Sequence, residues 1–268
     1  MRVKSAAVLV LCAASFGLAA CNSPDTPAGP VTPTAPVTST PTGTVMPTTG
    51  GKSGEGQDKS TGRFVILSQG HLKGTKGTLS YDIDVPGLGV EGKGVNSEAA
   101  RAFNSCMWSG AQAFVNTYQQ GKSLTDPNAR SRVERIGKHV LSGQLWASFD
   151  GGGAHPFIVQ STCVINADTT EKLDSKDVFT DENAGLQLLS EQAAKLLPAT
   201  RAGDGYWKPG ITPTAEHYKA WTATPDGMHV YFDQGQVAAE VAGVVDITVP
   251  WSALQAQLKP GLRDVLAS

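Results

Sequence analysis

Between residues 78 and 85 the chain alternates, with Leu79, Tyr81, Ile83 and Val85 apolar against Ser80, Asp82 and Asp84. A period of two predicts a half-buried strand, and Pro86 ends it. Phe64 to Leu67 reads as a short β-rich run before it. The period then changes to three and four. Ala99, Ala102, Phe103, Cys106, Gly110, Ala113, Phe114 and Thr117 predict the inward face of a long helix, with Asn96 as its N-cap. From His139 to Phe149 the period returns to two, placing Leu141, Leu145, Ala147 and Phe149 on one face. Asp150-Gly151-Gly152-Gly153 marks a turn, and Phe157, Val159, Ser161, Cys163 and Ile165 line one face of the return strand.

The last third repeats the mixture. Asp181 to Leu197 contains an amphipathic helix with Leu186, Leu189, Ala193 and Leu196 inward. Tyr218 to Thr224 and Met228 to Phe232 flank Pro225-Asp226-Gly227 as a hairpin. Val244 to Val249 is a last strand, followed by a closing helix from Trp251 to Leu258. Helices and antiparallel pairs without a regular βαβ repeat define an α+β class. The expected form is a single domain of hairpins in a mixed sheet, packed against two main helices.

The first sixty residues follow neither period. Arg2 and Lys4 precede an apolar stretch, Ala6 to Gly17, and Leu18-Ala19-Ala20-Cys21 closes it. That run resembles a bacterial lipobox and is shorter than the roughly 20 residues a spanning helix needs. The resemblance implies a lipoprotein signal peptide over residues 1–20, acylation of Cys21, and residence on the extracytoplasmic face of the cell membrane. An ordinary signal peptide cut near Ala20 is the alternative. Residues 21–61 are rich in Pro, Thr, Ser and Gly, cannot bury enough apolar surface to offset chain ordering, and read as a disordered spacer. Folded structure is expected over residues 62–268.

Charge and cysteine content narrow the function. The chain carries 22 Lys and Arg against 24 Asp and Glu, a net charge of −2. Without the leader's Arg2 and Lys4 the balance is more acidic, which argues against nucleic acid as the partner. Outside the leader and Cys21, only Cys106 and Cys163 remain. Two thiols in an oxidising compartment read as one disulfide, joining the long helix to the return strand. A metal site is the rival, but two Cys without a His pair cannot close a zinc site.

Four stretches carry a family resemblance. They are Tyr81-Asp82-Ile83-Asp84-Val85-Pro86, Gly152-Gly153-Ala154-His155-Pro156, Leu173-Asp174-Ser175-Lys176-Asp177-Val178-Phe179, and a tail. The tail contains Thr224-Pro225-Asp226-Gly227, Ala239-Glu240-Val241-Ala242-Gly243 and Ile247-Thr248-Val249-Pro250-Trp251-Ser252-Ala253-Leu254. In this order they resemble the extracellular domain of the RsiV family. That family includes lysozyme-sensing anti-sigma factors, secreted mycobacterial immunogenic antigens, and the non-catalytic part of some peptidoglycan deacetylases. Gly153-Ala154-His155-Pro156 and Ala242-Gly243 are similar to the mycobacterial antigen branch. The resemblance implies an extracytoplasmic α+β domain whose ligand is a protein such as lysozyme or an envelope glycan. The chain departs from it in having no anti-sigma segment and no deacetylase metal motif.

Candidate chemistry is sparse. His155 follows three glycines, and a histidine on a turn can bind metal or act as a base. The simpler reading has the glycines at positive φ with His155 hydrogen-bonding the hairpin. His71, His139, His217 and His229 show no ligand spacing. Glu182, Asp204 and Glu240 could serve acid–base chemistry only if folding brought them together. The Gly-rich stretch Ala202 to Gly210 holds Tyr206 and Trp207, an arrangement suited to protein or sugar recognition. Most of the other aromatics (Tyr218, Trp221, Tyr231, Phe232, Trp251) read as core. The expectation is a non-enzymatic, lipid-anchored binding domain with no cofactor. Tyr206, Trp207 and His155 are its ligand-binding candidates. A wall-acting hydrolase and a small-molecule or lipid carrier are the rivals.

Overall fold

The computed structural model describes residues 62–67 and 70–268. The expected leader, Cys21 and the expected spacer lie outside the described residues. The centre of the fold is the predicted long hairpin, β7 (Val140–Asp150) and β8 (Phe157–Asn166), paired antiparallel from Val140↔Asn166 to Phe149↔Phe157 without a register shift. On the other side of β7 sit β6 (Arg132–Ile136) and β5 (Ser123–Thr125), which pair with different stretches of it. β5 runs parallel to β3 (Leu79–Val85), and β2 (Gly70–Lys76) pairs antiparallel with β3. The sheet is therefore mixed. A separate ribbon joins β1 (Arg63–Ile66) to β4 (Leu88–Glu91).

Both faces of the long hairpin are buried, each against a different core. On one face Leu141, Leu145, Cys163 and Ile165 pack under α1 (Ser97–Thr117), which contributes Phe103, Met107 and Ala111. Gly143 makes that approach possible. A Cβ there would stand 2.7 Å from the Phe103 ring, closer than side chains tolerate. Asn96 caps the helix by accepting from the Glu98 N–H at 3.1 Å, and its amide donates to the Ala167 carbonyl at 2.8 Å. The start of α1 is thereby tied to the end of β8. On the opposite face Val140 and Val164 join a core built by α3 (Glu182–Leu196) and a three-stranded antiparallel sheet. That sheet is β9 (Trp221–Ala223), β10 (Gly227–Phe232) and β11 (Val245–Pro250), with β10 central.

The α+β class holds, as does the disulfide. Cys106 and Cys163 are bonded, with their Cα atoms 6.1 Å apart. Two details differ from the periodicity. The buried stripe of α1 is Ala99, Ala100, Phe103, Met107, Ala111, Phe114 and Val115, whereas Ala113 and Thr117 are exposed and Cys106 is half-buried. Apolar residues cover a broad arc of this helix, so sequence spacing alone fits two stripes about one position apart. The disulfide reaches in from the flank of the buried stripe. The closing helix is also shorter than expected. Helix α4 spans only Trp251–Leu254, because the chain turns off to bond Thr180 and Val178, and Gly261 at φ 76 then leads into α5 (Leu262–Leu266). A four-residue helix, α2 (Ser175–Val178), precedes α3 with Asp174 and Asp177 forming a capping box.

Candidate functional site

The C-terminal half of α1 and the C-terminal sheet approach β8 from opposite faces, and a cleft of about 720 Å³ opens between them. That lies within the ordinary range of about 300–1,000 Å³ for ligand pockets. One wall is Gly110, Ala113, Phe114 and Thr117 of α1 with its C-cap Tyr118. The other is Ala215, Glu216 and the stretch from Tyr218 to Trp221, with Asp233 and Gln234. Residues Phe157 to Thr162 of β8 run between them, and Lys172, Asp174, Ser175 and Lys176 with Glu182 close one end.

Gly110 keeps the helix close to the sheet, since a Cβ there would lie 2.8 Å from Leu145. The aromatic end of the cleft is a packed triad. Tyr118 lies 4.5 Å from Phe149 and 6.0 Å from Phe157, ring centre to ring centre, and Phe149 lies 5.1 Å from Phe157. Phe157 remains 37% exposed, so it offers apolar surface to whatever enters. Burial pushes the Tyr118 hydroxyl up from its ordinary pKa, and Asp233 adds to this.

Every carboxylate lining the cleft is held by a donor. Lys172 contacts Asp174 at 2.7 Å, Ser175 donates to Glu182 at 2.5 Å, and Lys219 contacts Glu216 at 2.5 Å and Asp233 at 3.5 Å. Asp233 also accepts from the Gln160 side-chain amide at 3.0 Å. Burial alone would lower the pKa of Lys219, but Glu216 and Asp233 outweigh it and raise the value. The cleft thus carries both signs of charge, largely paired with each other.

None of the three residues singled out from sequence lines this cleft. Tyr206 is half-buried and packs on the C-terminal core. Trp207 is 47% exposed, with its backbone N–H donating to the Val237 carbonyl at 2.7 Å. His155 lies on the exposed hairpin turn, where its Nε2 stands 4.0 Å from Glu240. Only Gly152 of the three glycines has positive φ, and its N–H is held by Asp150 at 2.7 Å. Among the described residues no hydrogen bond, ion pair or ring contact joins His155 to Tyr206 or Trp207. Glu182 reaches the cleft, whereas Asp204 is exposed on its loop. Tyr218, Trp221, Tyr231, Phe232 and Trp251 are core residues, as expected. Tyr118 and Phe157 were missed as site residues. Their signal was an i,i+4 pair of aromatics, Phe114 and Tyr118, at the end of a helix bonded to the aromatic-ended hairpin.

A second polar cluster lies on the C-terminal sheet. His229 stacks on Tyr231 with ring centres 4.6 Å apart and contacts Asp246 at 3.0 Å. The hydrogen bond from His229 holds the Asp246 carboxyl below its ordinary value, against the opposing effect of burial. A carboxylate with a lowered folded-state pKa stabilises the fold above its unfolded value, about 3.9, and that contribution disappears as pH falls through the folded value. Asp246→Asn should therefore cost under about 1 kcal/mol near pH 6, given the partial exposure. The gap in urea midpoints between wild type and variant should close on acidification. A gap that stays constant down to the acid limit would contradict this account.

The fold and the cleft together define an α+β domain built around one long hairpin, with a ligand-sized cleft between its helical and its C-terminal layers. Residues 176–252 match a family model described as a protein of unknown function, DUF3298. The match takes in α3, the C-terminal sheet and one wall of the cleft. No curated protein matches the chain. Two solved structures are similar in outline. A DUF3298 family member from Bacteroides fragilis is 14% identical with a TM-score of 0.43, covering 76% of this chain and 96% of that one. A DUF3298 family protein from Pseudomonas aeruginosa is 12% identical with a TM-score of 0.46, covering 76% and 97%.

Proposed function

We propose that the chain is a non-catalytic binding module of the cell envelope, held at the outer face of the membrane by acylated Cys21, and that its cleft receives a macromolecular ligand. The observation that carries this reading is the cleft itself. It is large and open between two layers, and its carboxylates are engaged by Lys172, Ser175, Lys219 and Gln160. Carboxylates held in this way position a surface for recognition and are poorly placed to exchange protons with a substrate. The RsiV resemblance, with its lysozyme-binding members, supports a secreted protein such as lysozyme as the ligand; a peptidoglycan or glycan strand is the other choice. Among the described residues no helix is long and apolar enough to cross a membrane. Trp207, exposed beside glycines, supplies a second contact outside the cleft, with half-buried Tyr206 next to it in sequence and His155 on the hairpin turn as further candidates.

The test is saturable binding of the full chain to lysozyme, purified peptidoglycan and envelope glycans, repeated with Ala113→Trp. Ala113 is exposed on the cleft wall, so the larger ring fills the cleft without entering the core. Binding should weaken at least tenfold in that variant, and less in Trp207→Ala. Saturable binding to none of these ligands, or binding indifferent to Ala113→Trp, would overturn the reading.

A further inference from the structure

Consecutive residues of a strand point to opposite faces of a sheet. A cleft touching every residue from Phe157 to Thr162 therefore runs along the edge of β8, not over one of its faces. That edge is the side of β8 away from β7. In an antiparallel pair, facing residues alternate between exchanging two hydrogen bonds and exchanging none. Trp146 faces Gln160, and the Trp146 N–H turns away to the Ser131 hydroxyl at 2.9 Å, so this pair exchanges none. The main-chain groups of Gln160 consequently point away from β7 along this edge, as do those of Ile158, Thr162 and Val164, and those of Gln160 and Thr162 face the cleft.

Three bonds confirm the alternation. The Ile158 N–H donates to the Gln234 side chain at 2.8 Å, Leu173 donates to the Val164 carbonyl at 2.9 Å, and the Asn166 N–H reaches the Glu171 carbonyl at 2.9 Å. The two ends of the edge are thus capped by the chain's own groups. Between them, the main-chain N–H and C=O of Gln160 and Thr162 have no partner among the described residues, although Gln160 is only 7% exposed. Buried backbone polar groups are seldom left unpaired. Sheet edges are usually blunted, and a bare central stretch between capped ends, walled on both sides, admits one strand and keeps out a folded sheet.

We propose that the cleft binds an extended polypeptide segment as an added strand on β8, with apolar and polar side chains in alternation. Only a polypeptide backbone repeats N–H and C=O groups at the spacing β8 presents, and main-chain pairing of this kind is an established recognition mode. Alternate side chains of the added strand face the two walls. One set meets Ala113, Phe114 and Tyr118 and is apolar; the other meets Glu216, Lys219 and Asp233 and is polar. The paired charges of both signs give no general attraction for a polyanion. This inference rests on the cleft being the ligand site.

The experiment selects displayed random twelve-residue peptides on the full chain, with counter-selection on full-chain Ala113→Trp whose folding is checked by thermal melting. Enriched peptides are then synthesised with and without N-methyl groups on alternate amides. The expected result is peptides of alternating polarity that lose at least about tenfold in affinity when the amides facing β8 are methylated. The Gln160 and Thr162 amides should also exchange more slowly with solvent in the complex. No enrichment over the Ala113→Trp target, or affinity indifferent to methylation of either alternate set, would overturn strand addition. The broader binding role stands apart from that outcome, since it falls only if lysozyme, peptidoglycan and glycan binding also prove absent or insensitive to Ala113→Trp.

Discussion

Replacing Cys106 and Cys163 together by alanine is expected to lower stability by about 4 kcal/mol, the chain-entropy value for a closed loop of this size. The bridge joins residues 57 apart in sequence, from the flank of α1 to the buried face of β8. For a domain of about two hundred residues, each kcal/mol moves the melting temperature by roughly 2–4 °C, so the drop should be about 8–16 °C. Scanning calorimetry of the oxidised protein and the double variant at one pH measures it. A shift of less than about 2 °C would mean that the core under α1 holds the helix without the bridge. The variant also bears on the cleft, because α1 is one of its walls and Cys106 lies one turn before Gly110. Ligand binding should weaken in the double variant at temperatures where it is still folded.

Trp251→Ala should be comparably severe, costing about 3–5 kcal/mol. Trp251 is 2% exposed in the C-terminal core, and its indole N–H donates to the Thr224 carbonyl at 2.8 Å. Its own backbone N–H reaches the Asp226 carbonyl at 3.1 Å. One side chain therefore closes the β9–β10 turn and anchors the start of α4. Trp251→Phe keeps most of the apolar surface and removes only the indole hydrogen bond, for an expected loss of about 1–3 kcal/mol. Urea denaturation midpoints of the two variants separate packing from hydrogen bonding. Equal losses would show that the hydrogen bond carries the effect and the packing account is wrong.

The elements legible in the sequence were those with a one-sided environment. The alternation of Leu79, Tyr81, Ile83 and Val85, the hairpin about Asp150 to Gly153, and the stripe of Leu186, Leu189 and Ala193 all appear where expected. Strand β2 escaped notice because its sequence, Gly-His-Leu-Lys-Gly-Thr-Lys, has little apolar alternation. It is held by backbone pairing to β3 and by cross-strand polar contacts, Lys73 with Asp82 at 2.6 Å and His71 with Asp84 at 2.8 Å. β4, β5 and β6 are short or polar and joined by non-local partners, so they left no local trace. The candidate site was less legible than the fold. Tyr206 and Trp207 drew attention as aromatics beside glycines, which is a local signal. The cleft is lined by Ala113, Gln160, Thr162 and Lys219, residues with no distinguishing neighbours in sequence.

Cys106 and Cys163 show both sides of this division. Their number and context in the chain were enough to pair them, because two thiols left in a chain expected to be exported have few other fates. Hydrophobic period was likewise enough to place the long helix, the long hairpin and the class of fold, because burial on one face imposes a repeat on consecutive residues. Only the tertiary structure decided which strand edge stays unpaired. That depends on β5 and β6 sharing one side of β7 while β8 takes the other, and on Gln234 and Leu173 capping only the ends of β8. Hydrogen-bond direction in a strand reverses at every residue whatever the side chain. The bare groups of Gln160 and Thr162 therefore follow from long-range register, which no local pattern of residues records.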